Sequence, residues 1–227
     1  MPRPPTKPKV PVAPKVPAAP RIPLSRERVL RAALALADEH GLEAVSMRRV
    51  GQALNVEAMS LYKHVADKEA ILDGIVDLVM DEVEVPDPAL PWREAIRRSA
   101  ISIHRALRRH PWAGLLMESR LNPGPARLRY LDAFVGVLRG AGFDVPTVSR
   151  AFMALDSHTY GFTMQELALP FDSVGAPELA VMMAGAFEPY PNLVAMAELA
   201  MTGGPMLDFE FGLDLLLDGL ERLRPAS

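Results

Sequence analysis

The chain contains no cysteine among its 227 residues. That absence excludes disulfides, thiolate catalysis and any cysteine-ligated zinc or iron–sulfur centre, and it fits a reducing, cytoplasmic setting. Apolar runs are short as well. None approaches the roughly 18 to 20 residues that a membrane helix needs, and the N-terminus carries charge without the hydrophobic stretch of a secretion signal, so a chain neither exported nor membrane-spanning is expected. Residues 73–227 hold no phosphate-binding loop, no G-x-S-x-G and no H-E-x-x-H. Their histidines are scattered: His104 and His110 fall off the same-face spacing of a helix, with no carboxylate at ligand spacing. No metal, cofactor or catalytic constellation is expected, and no segment alternates with period two for long enough to argue a strand.

What the chain does have is 49% hydrophobic residues and 23% charged ones, enough to build a core without staples. The net charge of −3 conceals an asymmetry: residues 1–72 hold 12 Lys or Arg against 7 Asp or Glu, and the remainder 13 against 21. A basic part joined to a larger acidic one is the pattern of a nucleic-acid module carrying something else. Residues 1–23 contain nine prolines, five basic residues and no acid. Proline at this density removes backbone donors and favours extended chain, so a disordered basic arm is expected, either a solubilising tail or an arm whose cations reach DNA phosphates.

From Ser25 the pattern turns helical. Val29, Leu30, Ala33, Leu34, Leu36 and Ala37 form one stripe behind a serine cap and stop at Gly41. Ser46 caps a second stretch over 47–54, Asn55 stands where a tight turn needs a positive backbone angle, and a third stretch covers 57–64. Further helices are expected over 68–83, 92–109, 111–119, 125–141, 146–169, 177–187, 192–202 and 206–224. The whole is all-α.

The second and third stretches form a helix-turn-helix candidate whose later member would lie in a major groove. Arg48 and Arg49 open its first helix, and an arginine there can reach a guanine edge. Ala58 and Met59 suit thymine methyl groups. Ser60, Tyr62, Lys63 and His64 supply donors for phosphate oxygens, and Lys68 begins the next helix, where backbone amides also favour an anion.

These residues also carry a resemblance. Gly41, Ser46, Arg48, Val50, Leu54 and Val56, followed by Leu61, Tyr62, His64, Val65, Lys68 and Leu72, resemble the DNA-binding domain of the TetR family of repressors. Gly51 stands where that family usually has Ala, and Asn55 where it usually has Gly. The resemblance implies that Arg48 and the face over 58–60 read bases, that Ser60, Tyr62, His64 and Lys68 grip the backbone, and that a homodimer binds a palindromic double-stranded DNA operator and leaves it when a small molecule enters the C-terminal domain.

The larger half carries methionines and aromatics at helical spacing, among them Met182 and Met183. Most suit a core, and a subset suits a pocket between helices for a small-molecule effector. The candidate lining is His104, Trp112, Leu116, Met117, Phe134, Met153, Ser157, His158, Met164 and Gln165. The last helix bears Phe209, Leu213, Leu216, Leu217, Leu220 and Leu223 on one stripe, with Gly212 and Gly219 inviting close approach by another helix. Paired with 146–169 it suits either a four-helix seam between two copies or burial within one subunit. This half resembles the tetracycline-repressor-like subgroup over 92–110, 138–143 and 209–223. Where those repressors keep a magnesium-binding His and a companion Thr, this chain has Met117 and Arg120, which implies an apolar, metal-free effector.

The expected organisation is thus a basic arm (1–23), a three-helix helix-turn-helix domain (24–72) and a helical ligand-binding and dimerisation domain (73–227). The alternative is a helical small-molecule-binding protein or enzyme without DNA function, which would show no salt-sensitive affinity for DNA.

Overall fold

The computed structural model describes residues 23–120, 123–169, 178, 181, 185–201 and 207–225. Among these every regular element is helical. The expected basic arm, Pro23 apart, and most of the stretch near 177–187, including Met182 and Met183, lie outside the described residues.

Helix α1 (Arg26–His40) starts where the Ser25 side chain accepts the Arg28 amide and ends at Gly41, whose φ of 76° is open to glycine and costly for other residues. A 3-10 turn (Leu42–Ala44) leads to α2 (Met47–Ala53), capped by Ser46, and then to α3 (Ala58–Leu61). Asn55 has φ 54°, the positive angle expected of the turn, which closes through Asn55 N–H to Gln52 O at 3.1 Å and Val56 N–H to Gly51 O at 2.9 Å. Helix α3 is shorter than the expected 57–64. His64 N–H bonds back to Leu61 O, three residues away, so the last turn tightens out of α geometry.

Helix α4 (Lys68–Asp81), capped by Asp67, runs without interruption from the first three helices into the rest of the chain. Its inner face, Ile71, Ile75 and Val79, lies against Val29, Leu30 and Ala33 of α1 in one continuous core. Then come α5 (Trp92–Arg109), α6 (Ala113–Ser119), α7 (Pro125–Gly140), α8 (Val145–Ala168), α9 (Pro191–Met201) and α10 (Phe209–Glu221).

The acidic residues of α4 explain how it sits. Glu69, Asp73, Asp77 and Asp81 recur every four residues and so share one face. Arg120 pairs with Glu69 at 2.7 Å and Asp73 at 3.0 Å, Asp77 accepts the Ala126 amide at the start of α7, and Asp81 pairs with Arg129. The carboxylate ladder thus fastens α4 to the end of α6 and the first turns of α7.

Candidate functional site

Two regions carry the candidate residues. The first is the surface of α2, α3 and the turn beyond. Val50, Leu61 and Val65 point inward and are buried. The intervening positions therefore point outward: Arg48, Arg49, Met59, Tyr62, Lys63 and Lys68 are exposed, and Ala58, Ser60 and His64 are half-buried. Met59 is 75% exposed and Tyr62 49%, unusual for side chains of this size and a mark of a contact surface. The ion pairs among the described residues use arginines elsewhere, and none occupies Arg48, Arg49, Lys63 or Lys68. Free cations beside hydroxyl donors and small side chains form a surface able to hold phosphates and meet base edges.

The second region lies between α5, α8 and the start of α10. His104 and His158 converge there on Phe209, whose ring stacks on His104 at 4.2 Å and on His158 at 5.0 Å. His158 Nε2 donates to Phe209 O at 3.0 Å, and its ring lies so close to Gly212 that a Cβ there would meet Cε1 at 2.4 Å. Gly212 therefore admits a histidine of α8 in its own subunit, the second of the two alternatives the sequence left open for it. Around Gly219 nothing lies within 4 Å. A cavity of about 590 Å³ opens beside His104, lined also by Phe162, Glu166 and Phe209.

The remaining candidates divide. Leu116 and Met117 are buried on α6, with Tyr160 Oη donating to Met117 Sδ at 3.5 Å, and Met164 packs on Gly114. Phe134 lies in the core edge-on to Phe152, beside a void of about 10 Å³, too small for a ligand. Trp112 turns away from these groups and donates its Nε1–H to Asp38 of α1 at 2.7 Å. Met153, Ser157 and Gln165 are not brought to the cavity. All three are exposed, because α8 buries Val148, Ala151, Leu155, Thr159 and Thr163, and positions 153, 157 and 165 fall on the row opposite that stripe. Helix α8 is apolar or small on both sides, so periodicity does not choose its inner face. Thr163 and Glu166 were missed, although Thr159, Thr163 and Glu166 form a polar i, i+4, i+7 line that signals buried polar chemistry.

Magnesium does not fit at Met117 and Arg120, the two positions that the resemblance singles out. Met117 offers a thioether, a poor ligand for a hard cation, and Arg120 is itself a cation already held by Glu69 and Asp73.

A polar knot joins α1 to the end of α4 and the corner between α5 and α6. Asp38 Oδ1 lies 2.7 Å from His110 Nδ1 as well as from Trp112 Nε1, His110 Nε2 lies 3.3 Å from Glu82 Oε1, and Arg109 pairs with Glu82. Burial acts to raise the Glu82 pKa, but the Arg109 hydrogen bond and the charge of His110 outweigh it and hold the carboxyl below the usual glutamate range. At His104 burial acts the other way on a base, and lowers its pKa against the pull of Glu166. Both folded values lie below their unfolded ones, so the unfolded chain takes up these protons first. Stability is complete at neutral pH and falls as pH drops below about 6.5 through His104, then again below about 4.5 through Glu82. Urea midpoints measured from neutral to acid pH check this, and a His104→Gln variant should lose the first of the two declines.

A two-helix reader with free cations, joined by one rigid helix to a larger helical body, defines a helix-turn-helix DNA-binding regulator. Residues 29–75 match the family described as bacterial regulatory proteins, tetR family, and residues 85–224 match the tetracyclin repressor-like C-terminal domain. The chain belongs to the TetR family of transcriptional regulators, which are not enzymes. It is 32% identical over 215 residues to the HTH-type transcriptional repressor DrrR1 of Streptomyces coeruleorubidus, covering 88% of this chain and 78% of that one. It is 29% identical over 204 residues to the class C tetracycline repressor protein of Escherichia coli, covering 88% and 92%. Among solved structures, Streptomyces coelicolor ActR in complex with actinorhodin superposes with a TM-score of 0.73 at 27% identity, covering 90% of this chain and all of that one.

Proposed function

We propose that the protein is a cytoplasmic, homodimeric repressor that binds a palindromic operator and is released by a small, metal-free effector with an apolar body. In this reading residues 24–72 read DNA and residues 73–227 bind effector and dimerise. Arg48, Ala58 and Met59 meet base edges, and Arg49, Ser60, Tyr62, Lys63, His64 and Lys68 hold phosphates. The observation that carries it is the uncommitted cationic surface of α2 and α3 ahead of a continuous α4. The tetracycline repressor relatives and the actinorhodin-bound ActR support a small-molecule effector.

A second copy is supported by a groove of about 450 Å³ between α8 and α10, lined by Ala151, Leu155, Leu215, Leu216, Gly219 and Leu223. Leu215 on the outer side of α10 is 57% exposed, and Leu223, just past the end of the helix, is 65% exposed. Effector entry would bias α6 and α7, and through the Arg120 and Asp77 links would tilt α4, moving the two readers off half-sites about 34–36 Å apart.

Fluorescence anisotropy on duplexes from DNA flanking the protein's own gene tests the proposal. Affinity should fall by about 10³-fold or more between roughly 50 and 200 mM salt. The double variant Lys63→Ala, Lys68→Ala should weaken all sequences alike and flatten the salt slope by about 2, whereas Arg48→Ala should relax preference at one base pair by about 1–3 kcal/mol. Salt-independent binding, or none on any fragment, counts against the proposal.

A further inference from the structure

Helix α3 is a single turn, and its burial pattern fixes which side chain leads into a groove. Residues two apart on an α-helix point to roughly opposite sides. Leu61 is wholly inaccessible, so Met59 marks the outermost line of the helix, and it is 75% exposed. Ala58 and Ser60 flank it, half-buried. The side chains with strong hydrogen-bonding groups stand elsewhere: Arg48, Arg49 and Gln52 on α2, Glu57 at the N-cap of α3, and Tyr62, Lys63 and His64 past its last helical residue. The leading edge of α3 thus consists of a methyl, a thioether and a hydroxyl.

The major groove limits what such an edge can tell apart. Base pairs differ there in donors, in acceptors and in one apolar group, the C5 methyl of thymine. A thioether has no hydrogen to donate and accepts weakly, and the alanine methyl does neither. A serine hydroxyl turns to suit a donor or an acceptor, so it favours no base. What remains is methyl against hydrogen at C5 of a pyrimidine. That distinction does not follow base identity. 5-Methylcytosine carries the methyl where thymine does, whereas uracil has thymine's hydrogen-bonding edge without it.

We infer that α3 reads a pyrimidine C5 methyl rather than base identity, so that 5-methylcytosine stands in for thymine under Met59 and methylation of a cytosine there raises operator affinity. This rests on the DNA-reading assignment above, names the group on DNA that α3 recognises, and gives the protein a response to cytosine methylation.

The test is anisotropy on the full-length protein with one duplex, the fragment of flanking DNA that it binds most tightly, synthesised with modified nucleotides. Deoxyuridine replaces thymidine at one symmetry-related pair of positions at a time. At the pair under Met59 affinity should fall by about tenfold or more, since one buried carbon is worth about fourfold in each half-site. Deoxycytidine there, paired with deoxyguanosine, should bind as weakly as deoxyuridine, and 5-methyldeoxycytidine should restore the thymidine affinity to within about twofold. Met59 lies outside the core, so Met59→Ala should fold as before and bring all four duplexes to within about threefold of one another. Arg48→Ala should weaken all four and keep their order. If no deoxyuridine weakens binding, or if 5-methyldeoxycytidine binds no better than deoxycytidine at the sensitive pair, the methyl is not what α3 reads; the inference falls and DNA recognition stands. A thymidine preference that persists undiminished in Met59→Ala places the methyl contact on another residue and also overturns it. Absence of salt-sensitive binding to any fragment removes the DNA-reading assignment itself, and this inference with it.

Discussion

Arginine at both Leu215 and Leu223 should leave each subunit folded, halve the sedimenting mass and lower affinity for a palindromic operator by about a hundredfold or more. The expectation follows from the two faces of α10. Phe209, Leu213, Leu217 and Leu220 are buried against the subunit's own core, with Leu213 and Leu217 wholly inaccessible. Leu215 stands on the other side and Leu223 just past the end of the helix, both more than half exposed, so arginines there extend into water in a lone subunit and disturb nothing inside it. Across a two-fold axis the same side chains meet their own copies, and four like charges in an apolar seam cost several kcal/mol. A monomer then binds one half-site, losing the second set of contacts that separates specific from non-specific affinity by about 10³-fold or more. Circular dichroism, analytical ultracentrifugation and operator titration read the three effects separately. A variant that remains dimeric would move the seam away from α8 and α10.

How much of this was legible beforehand depends on the range of the interaction involved. Helix α5 occupies the expected 92–109, because a proline before it and alternating buried and charged positions are local information. The turn at Asn55 was legible for the same reason, since a positive φ is a property of one residue. Helix α3 was overrun by three residues, because the tightening at His64 depends on where Leu61 must be buried. Which face of α8 turns inward was not legible, and Met153, Ser157 and Gln165 lie on its exposed side, since only packing against α5 and α10 decides between two apolar sides. Nothing local pairs Asp38 with His110 and Trp112, or Arg120 with Glu69, across 72, 74 and 51 residues. The reader surface was therefore visible in the chain, whereas the cavity and its links to α4 needed the tertiary structure.

Asp38→Ala should lower stability by about 2–4 kcal/mol and loosen the two halves of the molecule from each other. Asp38 lies on α1, in the DNA-reading part, yet its Oδ1 receives both His110 Nδ1 and Trp112 Nε1 at 2.7 Å from the corner between α5 and α6. His110 is 7% exposed, so removing Asp38 strands a donor in a poorly hydrated place, at about 1–3 kcal/mol, and releases the indole as well. For a chain of this length the melting temperature should drop by about 5–10 °C. Asp38→Asn keeps an acceptor for one of the two donors and should recover roughly half of that loss. The same variants probe the switch. Operator and effector should weaken each other by about 1–3 kcal/mol in the wild type. If the knot at Asp38 carries part of that coupling, Asp38→Ala should reduce it while both ligands still bind, and calorimetry would detect a second melting transition as α1 to α3 unfold apart from the rest. Coupling that survives intact in a protein melting as one unit would assign transmission to the ladder of Arg120 and the α4 carboxylates alone. In that case Arg120→Gln, which removes the bridge to Glu69 and Asp73, should abolish the coupling.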